Sequence, residues 1–233
     1  MNDRKNLAGL VLCGGQSRRM GQAKYRLAYF GETLLRRICR IVTAEASPIL
    51  VVAAADQDLA FDDLPPATPN IQILRDDVPN SGPLAGIAQG LKQLCEMPQS
   101  PGTVFVTSCD VPLLKPELIQ LLRSLLTDEF EAVVIRDGQF SYPLCAVYRA
   151  SAAIAATSLL NAGERRARAL PEALCTRWVT LDEVRSVDPE LESLRNCNTP
   201  DDYEQLIHSK PASLLLRPHD QQVGVIRHDP EHD

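Results

Sequence analysis

Residues 7–27 read LAGLVLCGGQSRRMGQAKYRL, an apolar run that ends in a glycine pair and is followed by three cations, Arg18, Arg19 and Lys24. A short run rich in branched aliphatic residues is typical of a buried strand, and the glycines mark the turn after it. In a parallel sheet the carboxyl end of such a strand opens into the ligand crevice. The stretch therefore predicts a first strand whose end faces a binding site.

The rest of the chain alternates short apolar runs with longer helical patterns. Apolar residues recur at helical spacing in residues 32–46, from Gly82 onward and after Pro116. The strand candidates are residues 7–13, 48–54, 70–75, 103–108 and 131–135, with 143–148 and 175–181 after them. This alternation predicts a three-layer α/β fold with a mainly parallel sheet covered by helices, of the Rossmann-like kind.

Length and composition fit one soluble domain. The 233 residues are enough for one sizeable core and too few to assume two, and a content of 45% hydrophobic and 23% charged residues is ordinary. We expect a single domain over residues 1–208, closed by a capped helix that starts at Asn198. Residues 209–233 mix Pro, His and Asp without a period, so we expect a poorly ordered C-terminal tail.

Charge and histidine placement exclude several classes of function. A net charge of -6 argues against a nucleic-acid groove, because duplex binding needs a basic face. All four histidines lie in the last 26 residues, which removes Ser-His-Asp, Cys-His and His-ligated zinc chemistry from the body. No run approaches the ~20 apolar residues of a membrane span, and seven scattered cysteines fit a reducing compartment. We expect a cytoplasmic protein with no membrane partner.

The segment after the first strand has the chemistry of a phosphate site. Gly14 and Gly15 let backbone N–H groups approach phosphate oxygens, and Arg19 and Lys24 add positive charge. The spacing matches neither the G-x-G-x-x-G fingerprint nor a P-loop. An ordinary β–α turn followed by a solvated basic segment is the alternative, but glycines and cations at one strand end favour phosphate binding.

Asp110 follows the apolar strand in the stretch VFVTSCDVPLL, residues 104–114. A carboxylate at the mouth of a parallel sheet is well placed to hold Mg²⁺, a hard cation that prefers oxygen ligands and shares them with substrate phosphates. A helix cap is the alternative, but the next helix begins near Pro116, several residues on. The stretch predicts a magnesium site at Asp110.

Two further segments carry charge whose use stays open. In ILRDDVPNSGPLAG, residues 73–86, the acidic pair that includes Asp76 could meet a base or ribose, or could form a turn. In NAGERRARAL, residues 161–170, three arginines could clamp a phosphorylated second substrate, or could form a solvent-facing helix start. Local chemistry does not separate these alternatives.

Taken in order, these segments resemble one family. LCGGQSRRMGQAKYRL, residues 12–27, resembles the LAGGxSxRMGxxKxxL signature of the nucleotidyltransferases that act on molybdenum cofactor. GPLAG, CDVPLL, AGERR and NTPDD resemble the later landmarks of that family, and the match covers roughly residues 7–208. The chain is therefore similar to the molybdenum cofactor guanylyltransferase family, which has the nucleotide-diphospho-sugar transferase fold.

The resemblance implies GTP and Mo-molybdopterin as substrates, Mg²⁺ as cofactor, and pyrophosphate as a product, with molybdoenzymes or cofactor-delivery proteins as further partners. The functional residues that it implies are a nucleotide loop at Leu12, Cys13, Gly14 and Gly15, a phosphate lysine at Lys24, a base-side aspartate at Asp76, a magnesium aspartate at Asp110, and asparagines at Asn196 and Asn198. Two positions depart from the family pattern: Ala53, where Asn is common, and Tyr142–Pro143, where His-Pro is common.

The expected mechanism is in-line attack by the terminal phosphate of molybdopterin on the α-phosphorus of the nucleotide, with Arg19, Lys24 and Asp110 as the catalytic group. A phosphate monoester loses its second proton near pH ~6, so the nucleophile needs no general base, in agreement with the histidine placement. The alternatives are a cytidylyltransferase on the same cofactor, a sugar-1-phosphate nucleotidyltransferase and, in another class, a non-catalytic nucleotide-binding assembly factor for molybdoenzymes.

Overall fold

The computed structural model describes residues 6–14, 23–55, 57–59, 64, 70–76 and 82–208. Within these ranges the strands are β1 (Ala8–Leu12), β2 (Ala28–Tyr29), β3 (Glu32–Thr33), β4 (Ile49–Ala54), β5 (Ile71–Asp76), β6 (Thr103–Ser108), β7 (Ala132–Asp137), β8 (Phe140–Arg149) and β9 (Thr176–Val179). The α-helices are α1 (Leu34–Glu45), α2 (Pro83–Glu96), α3 (Pro116–Ser124), α4 (Ala153–Asn161), α5 (Ala169–Glu172), α6 (Leu181–Arg185) and α7 (Pro200–His208).

Seven of the strands form one sheet in the order β5-β4-β1-β6-β8-β7-β9. The pairs β1–β4, β1–β6, β4–β5 and β7–β9 are parallel, whereas β8 runs antiparallel to both of its neighbours. The predicted three-layer, mainly parallel α/β fold is therefore confirmed. The hairpin of β2 and β3 was not predicted, because strands of two residues are too short to show a period.

The core lies on both faces of the sheet, which explains why the strands read as continuous apolar runs. Alternate residues of β1 face opposite sides: Val11 packs with the α1 and α3 side, and Leu10 packs with the α2 and α4 side. No helix in the described part of the chain is long and apolar enough to cross a membrane. Residues 209–233, the predicted tail, lie outside the described residues, and the single-domain boundary stays a prediction.

Strand β8 is irregular where it enters the sheet. Its pairing with β7 shifts between Val134, which lies opposite Ala146, and Arg136, which lies opposite Ser141. The buried hydroxyl of Tyr148 donates a hydrogen bond to the carbonyl oxygen of Pro143 at 3.0 Å, inside the shifted stretch. Such irregularities re-aim side chains at the end of a sheet. The stretch around Tyr142–Pro143, where the family pattern has His-Pro, therefore departs from regular strand geometry.

Helix α2 begins at a close contact with the loop before α5. Gly82, its N-cap, has a φ of 77° and a ψ of 170°, a conformation that is essentially restricted to glycine. A Cβ atom on Gly82 would lie 2.7 Å from the carbonyl oxygen of Arg165. The GPLAG and AGERR segments therefore meet in space, and glycine is needed where they touch.

Replacing Gly82 with alanine should lower the free energy of unfolding by about 1–3 kcal/mol, because the backbone conformation disfavours a Cβ atom and the Arg165 carbonyl blocks it. Urea denaturation followed by circular dichroism measures this. Gly102→Ala is the matched control, because a Cβ atom there meets nothing within 4 Å. Equal stability of the two variants would contradict the packing described for Gly82.

Candidate active site

The loop after β1 is held between two neighbouring strands. Leu12 lies opposite Val52 of β4 on one side and Ser108 of β6 on the other. Beyond it, the Cys13 N–H donates to the Val52 carbonyl at 2.7 Å, and the Cys109 N–H donates to the Leu12 carbonyl at 3.0 Å. Because parallel strands end at the same edge, the predicted nucleotide loop and the segment with Asp110 lie side by side.

Packing does not require glycine at position 14. A Cβ atom on Gly14 would make only an ordinary contact, 3.8 Å from the nitrogen of Ala54, and Gly14 is exposed. A bare backbone at an exposed strand end lets a ligand approach the N–H groups closely. Gly14 therefore fits the predicted nucleotide loop, whereas Gly15 and Arg19 lie outside the described residues.

Three predicted site residues meet in one place. The Nζ atom of Lys24 lies 3.4 Å from Oδ2 of Asp110 and donates a hydrogen bond to Oδ1 of Asn198 at 2.5 Å. The side chains of Lys24 and Asp110 are 22% and 16% exposed, so solvent still reaches them while neighbouring residues shelter them. Partial shelter strengthens their interaction with a charged ligand. The structure thus brings together the predicted phosphate lysine, the predicted magnesium aspartate and one of the two asparagines.

The donor chemistry around Asp110 fits Mg²⁺. Its Oδ1 accepts a hydrogen bond from the Ser108 hydroxyl at 2.5 Å, which orients the carboxylate, and its Oδ2 faces Lys24. Across the described ranges no group of three or more His, Cys, Asp or Glu side chains could hold a metal ion. An ion at Asp110 would therefore share one carboxylate with phosphate and water ligands, which is the usual binding mode of Mg²⁺.

A reciprocal cap at the start of α7 fixes the backbone at Asn198. The Thr199 hydroxyl accepts from the Asp202 N–H at 3.1 Å, and the Asp202 carboxylate accepts from the N–H groups of Asn198 and Thr199 at 2.9 and 2.8 Å. The predicted helix cap at Asn198 is therefore wrong by one residue, because the side chain of Asn198 accepts from Lys24 instead. The second asparagine, Asn196, is exposed near the start of the same segment.

Cys197, between the two asparagines, is a core residue. Its side chain is 2% exposed and packs against the β2–β3 hairpin and α7. Burial raises the pKa of the Cys197 thiol to about 11, so it is a neutral thiol at physiological pH. The N–H of Cys197 donates to the Asp110 carbonyl at 2.8 Å. The segment with the asparagines is therefore tied directly to the aspartate that it faces.

The predicted base-side aspartate lies at the same edge but apart from this group. Asp76 ends β5 and lies opposite Ala54 of β4, so three interstrand spacings, about 14 Å, separate β5 from β6. Ala53 is fully buried in the core on the α1 side, so a side chain at that position does not face the strand ends. The site thus has two regions, one around Asp110 and one around Asp76.

Gln57 contacts the predicted nucleotide loop and was not predicted from the sequence. Its side-chain nitrogen donates to the Cys13 carbonyl at 2.9 Å, and its side-chain oxygen accepts from the Ala54 N–H at 2.8 Å. The Arg75 guanidinium in turn donates to the Gln57 carbonyl at 2.6 Å. Gln57 therefore connects the nucleotide loop to the end of β4, although no motif in the sequence marks it.

Two of the three arginines after α4 form contacts close to them in sequence. Arg166 forms an ion pair with Glu164, with 2.6 Å between Nη2 and Oε2, and Arg165 donates to the Leu160 carbonyl at 3.0 Å. Hydrogen bonds from Arg166 and the backbone N–H groups hold the pKa of Glu164 well below its ordinary value. These contacts favour the structural alternative for Arg165 and Arg166. Arg168, which is exposed, stays a candidate for the phosphate clamp.

Parallel strand ends that carry a bare backbone loop, a cation and a carboxylate define a nucleotide-binding enzyme of the α/β class. Comparison with known families is more specific: residues 9–177 match the model of the MobA-like NTP transferase domain. The chain belongs to this family and is a nucleotidyltransferase. The resemblance found in the sequence is therefore confirmed.

Named relatives agree with this assignment. A probable molybdenum cofactor guanylyltransferase of Mycobacterium avium is 35% identical over 213 residues, which cover 90% of this chain and all of the relative. One from Mycobacterium tuberculosis is 36% identical over 196 residues, with 83% and 89% of the two chains covered. The structure of molybdopterin-guanine dinucleotide biosynthesis protein A from Archaeoglobus fulgidus is 26% identical, with a TM-score of 0.66 and coverage of 85% and 96%.

A solved structure with a different name has a similar fold. The 4-diphosphocytidyl-2C-methyl-D-erythritol synthase of Anaerococcus prevotii has a TM-score of 0.64 at 16% identity, with 91% of this chain and 96% of that chain covered. At this identity the likeness concerns the fold alone. The sheet order by itself therefore does not determine which nucleotide is used.

Asp202→Ala should lower the free energy of unfolding by about 1 kcal/mol at pH 7, because it removes the acceptor in the α7 cap. Hydrogen bonds from the N–H of Asn198 and from Thr199 lower the pKa of Asp202, so its stabilisation is present above the unfolded-state pKa and is lost as pH falls through the folded-state pKa. Urea denaturation at pH 7 and near pH ~3 compares the two conditions. A difference between variant and wild type that grows on acidification would contradict the assigned cap.

Proposed function

We propose that the protein transfers GMP from GTP to Mo-molybdopterin, forming molybdopterin guanine dinucleotide and releasing pyrophosphate. The observation that carries this proposal is the meeting of Lys24, Asp110 and Asn198 at the carboxyl edge of the sheet. The names of the mycobacterial and archaeal relatives support the choice of substrates. Molybdoenzymes or cofactor-delivery proteins are the proposed recipients of the product.

The chain's own groups bind the triphosphate in this proposal. The backbone at Gly14, beyond the Cys13 N–H that is bonded to the Val52 carbonyl, offers its N–H group to phosphate oxygens, and Lys24 contributes an ammonium group beside it. Asp110, with the amide oxygen of Asn198 nearby, holds Mg²⁺. When bound, the ion would neutralise phosphate charge at the reacting end of the nucleotide. Arg19 is proposed to add a second positive charge, at a position outside the described residues.

A bound ligand can displace the contact between Lys24 and Asp110. At 3.4 Å the pair is longer than a strong charge-assisted hydrogen bond, which measures about 2.7–2.9 Å, so its geometry is not optimal. A magnesium-bound phosphate carries both signs of charge, so it can replace each partner's interaction with an equivalent one. Lys24 then neutralises the charge that develops on the pyrophosphate leaving group, and catalysis depends on alignment and charge rather than on proton transfer.

The guanine preference is proposed to come from Asp76. A carboxylate has two acceptor oxygens, and the edge of guanine has neighbouring N–H donors that one carboxylate can bind together. Cytosine offers a single exocyclic amino group as donor. Asp76 ends β5, at the far side of the nucleotide loop from Asp110, which leaves room for a nucleotide between them.

Lys24→Ala and Asp110→Ala should each lower kcat about 100-fold or more, since each removes a charge that acts on the reacting phosphates. Pyrophosphate release with GTP and molybdopterin measures the rate, and circular dichroism checks folding. Lys92→Ala is the control, because Lys92 is 72% exposed and its ion pair with Glu96, within α2, is 4.0 Å long. Activity of either site variant within a few-fold of wild type would refute its role.

A screen of four nucleoside triphosphates separates the rival substrates. Pyrophosphate release should require molybdopterin and should be fastest with GTP. Faster turnover of CTP would replace the proposal with a cytidylyltransferase, and turnover of hexose 1-phosphates in place of molybdopterin would replace the acceptor. If pyrophosphate is not released with any of the acceptors, the non-catalytic assembly factor becomes the better account.

A further inference from the structure

A buried polar group lies behind the active site. Asp188 and Ser193 are fully buried, and they belong to the segment that ends at Asn198. Lys115 donates from its Nζ atom to Oδ1 of Asp188 at 2.7 Å, and the Ser193 N–H donates to Oδ2 at 2.8 Å. The Ser193 hydroxyl accepts from the Lys115 N–H at 3.0 Å. Both carboxylate oxygens of Asp188 are therefore satisfied.

Asp188 is charged at neutral pH in spite of its burial. Burial acts to raise its pKa, but the hydrogen bonds from Lys115 and Ser193 outweigh this effect and hold the pKa below its ordinary value. An ion pair with one buried partner, here Asp188 with the 30%-exposed Lys115, often adds little stability over apolar residues of the same volume, while it can specify one arrangement of the chain. The ion pair therefore fixes how the chain is arranged around Asp188.

Two anchors hold the 193–198 segment against the 110–115 loop. At one end Ser193 bonds to Lys115, and at the other the Cys197 N–H donates to the Asp110 carbonyl. The two stretches run in opposite directions, with three residues between the anchors on one and four on the other. Before them, Leu191 turns the chain with a φ of 53°, a conformation that non-glycine residues adopt only when their surroundings hold it.

We propose that Lys115, Asp188 and Ser193 are positioning residues for the transfer reaction. They hold the 193–198 segment so that Oδ1 of Asn198 stays at Nζ of Lys24, and none of the three touches the reacting atoms. The kinetic consequence rests on the proposed function. The structural consequence, a fixed Asn198 segment, does not depend on it.

Asp188→Asn keeps the shape of the side chain and removes its charge. It should lower kcat about 10-fold with little change in KM for GTP, because a misplaced Asn198 leaves Lys24 less well aligned in the transition state. In an Asn198→Ala background the same substitution should lower kcat by a smaller factor, since the side chain through which it mainly acts is absent and only the backbone contact of Cys197 with Asp110 remains. Equal losses in the two backgrounds would overturn the proposal.

Leu94→Ala is the control for a general loss of stability. Leu94 is fully buried near the C-terminal end of α2, away from the strand ends, so its truncation destabilises the fold without touching the segment. At a temperature where every variant is folded, Leu94→Ala should keep the wild-type kcat. A loss of kcat equal to that of Asp188→Asn would mean that Asp188 acts only through stability, and would overturn the proposal.

Amide hydrogen exchange tests the anchor without any substrate. In Asp188→Asn the Cys197 amide should exchange about 10-fold faster, whereas amides of β1 and β6 should keep their protection. Unchanged exchange at Cys197 would overturn the positioning role even if GTP turnover is confirmed. Faster exchange in an enzyme that does not use GTP would refute the proposed function alone. If Asp188→Asn does not fold, Ser193→Ala, which keeps the charge pair, takes its place in both experiments.

Discussion

The site depends on the parallel pairing of β1 with a strand on each side. Leu12 is in register with Val52 and with Ser108, so the backbone beyond β1 has neighbours whose chains end at the same level. Asp110 lies two residues past Ser108 and therefore falls beside the loop that follows Leu12. Parallel pairing thus brings the predicted nucleotide loop and a carboxylate together, although about a hundred residues separate them in the chain.

The ammonium group that completes this arrangement comes from a different kind of element. Lys24 lies in a short 3₁₀ turn outside the sheet, and its Nζ atom reaches both Asp110 and Asn198. Each contact joins segments that meet only in the folded chain. The group is therefore assembled by tertiary packing, and the ion pair between Lys115 and the buried Asp188 is proposed to support it from behind the asparagine segment.

The sequence predicted those parts of the molecule whose residues form a local pattern. The apolar runs predicted the seven strands of the sheet, and the position of Asp110 just after an apolar strand made it a candidate site residue. Gln57 and Asp188 were not predicted, because a polar residue in a loop shows neither period nor motif, and the partners that give these residues a role are far away in sequence. Asp188 pairs with a lysine 73 residues earlier, a contact that only the folded chain defines.

The fold places the proposed reaction chemistry and the proposed base contact on different strands. Charged groups gather at the ends of β1 and β6, near the middle of the sheet, whereas Asp76 lies on β5 at its edge. An edge strand can change without disturbing the central pairing, so one architecture can serve proteins with different nucleotides. On the other side of β6, β8 enters the sheet with a shifted register around Pro143, so the side chains there depart from regular strand geometry.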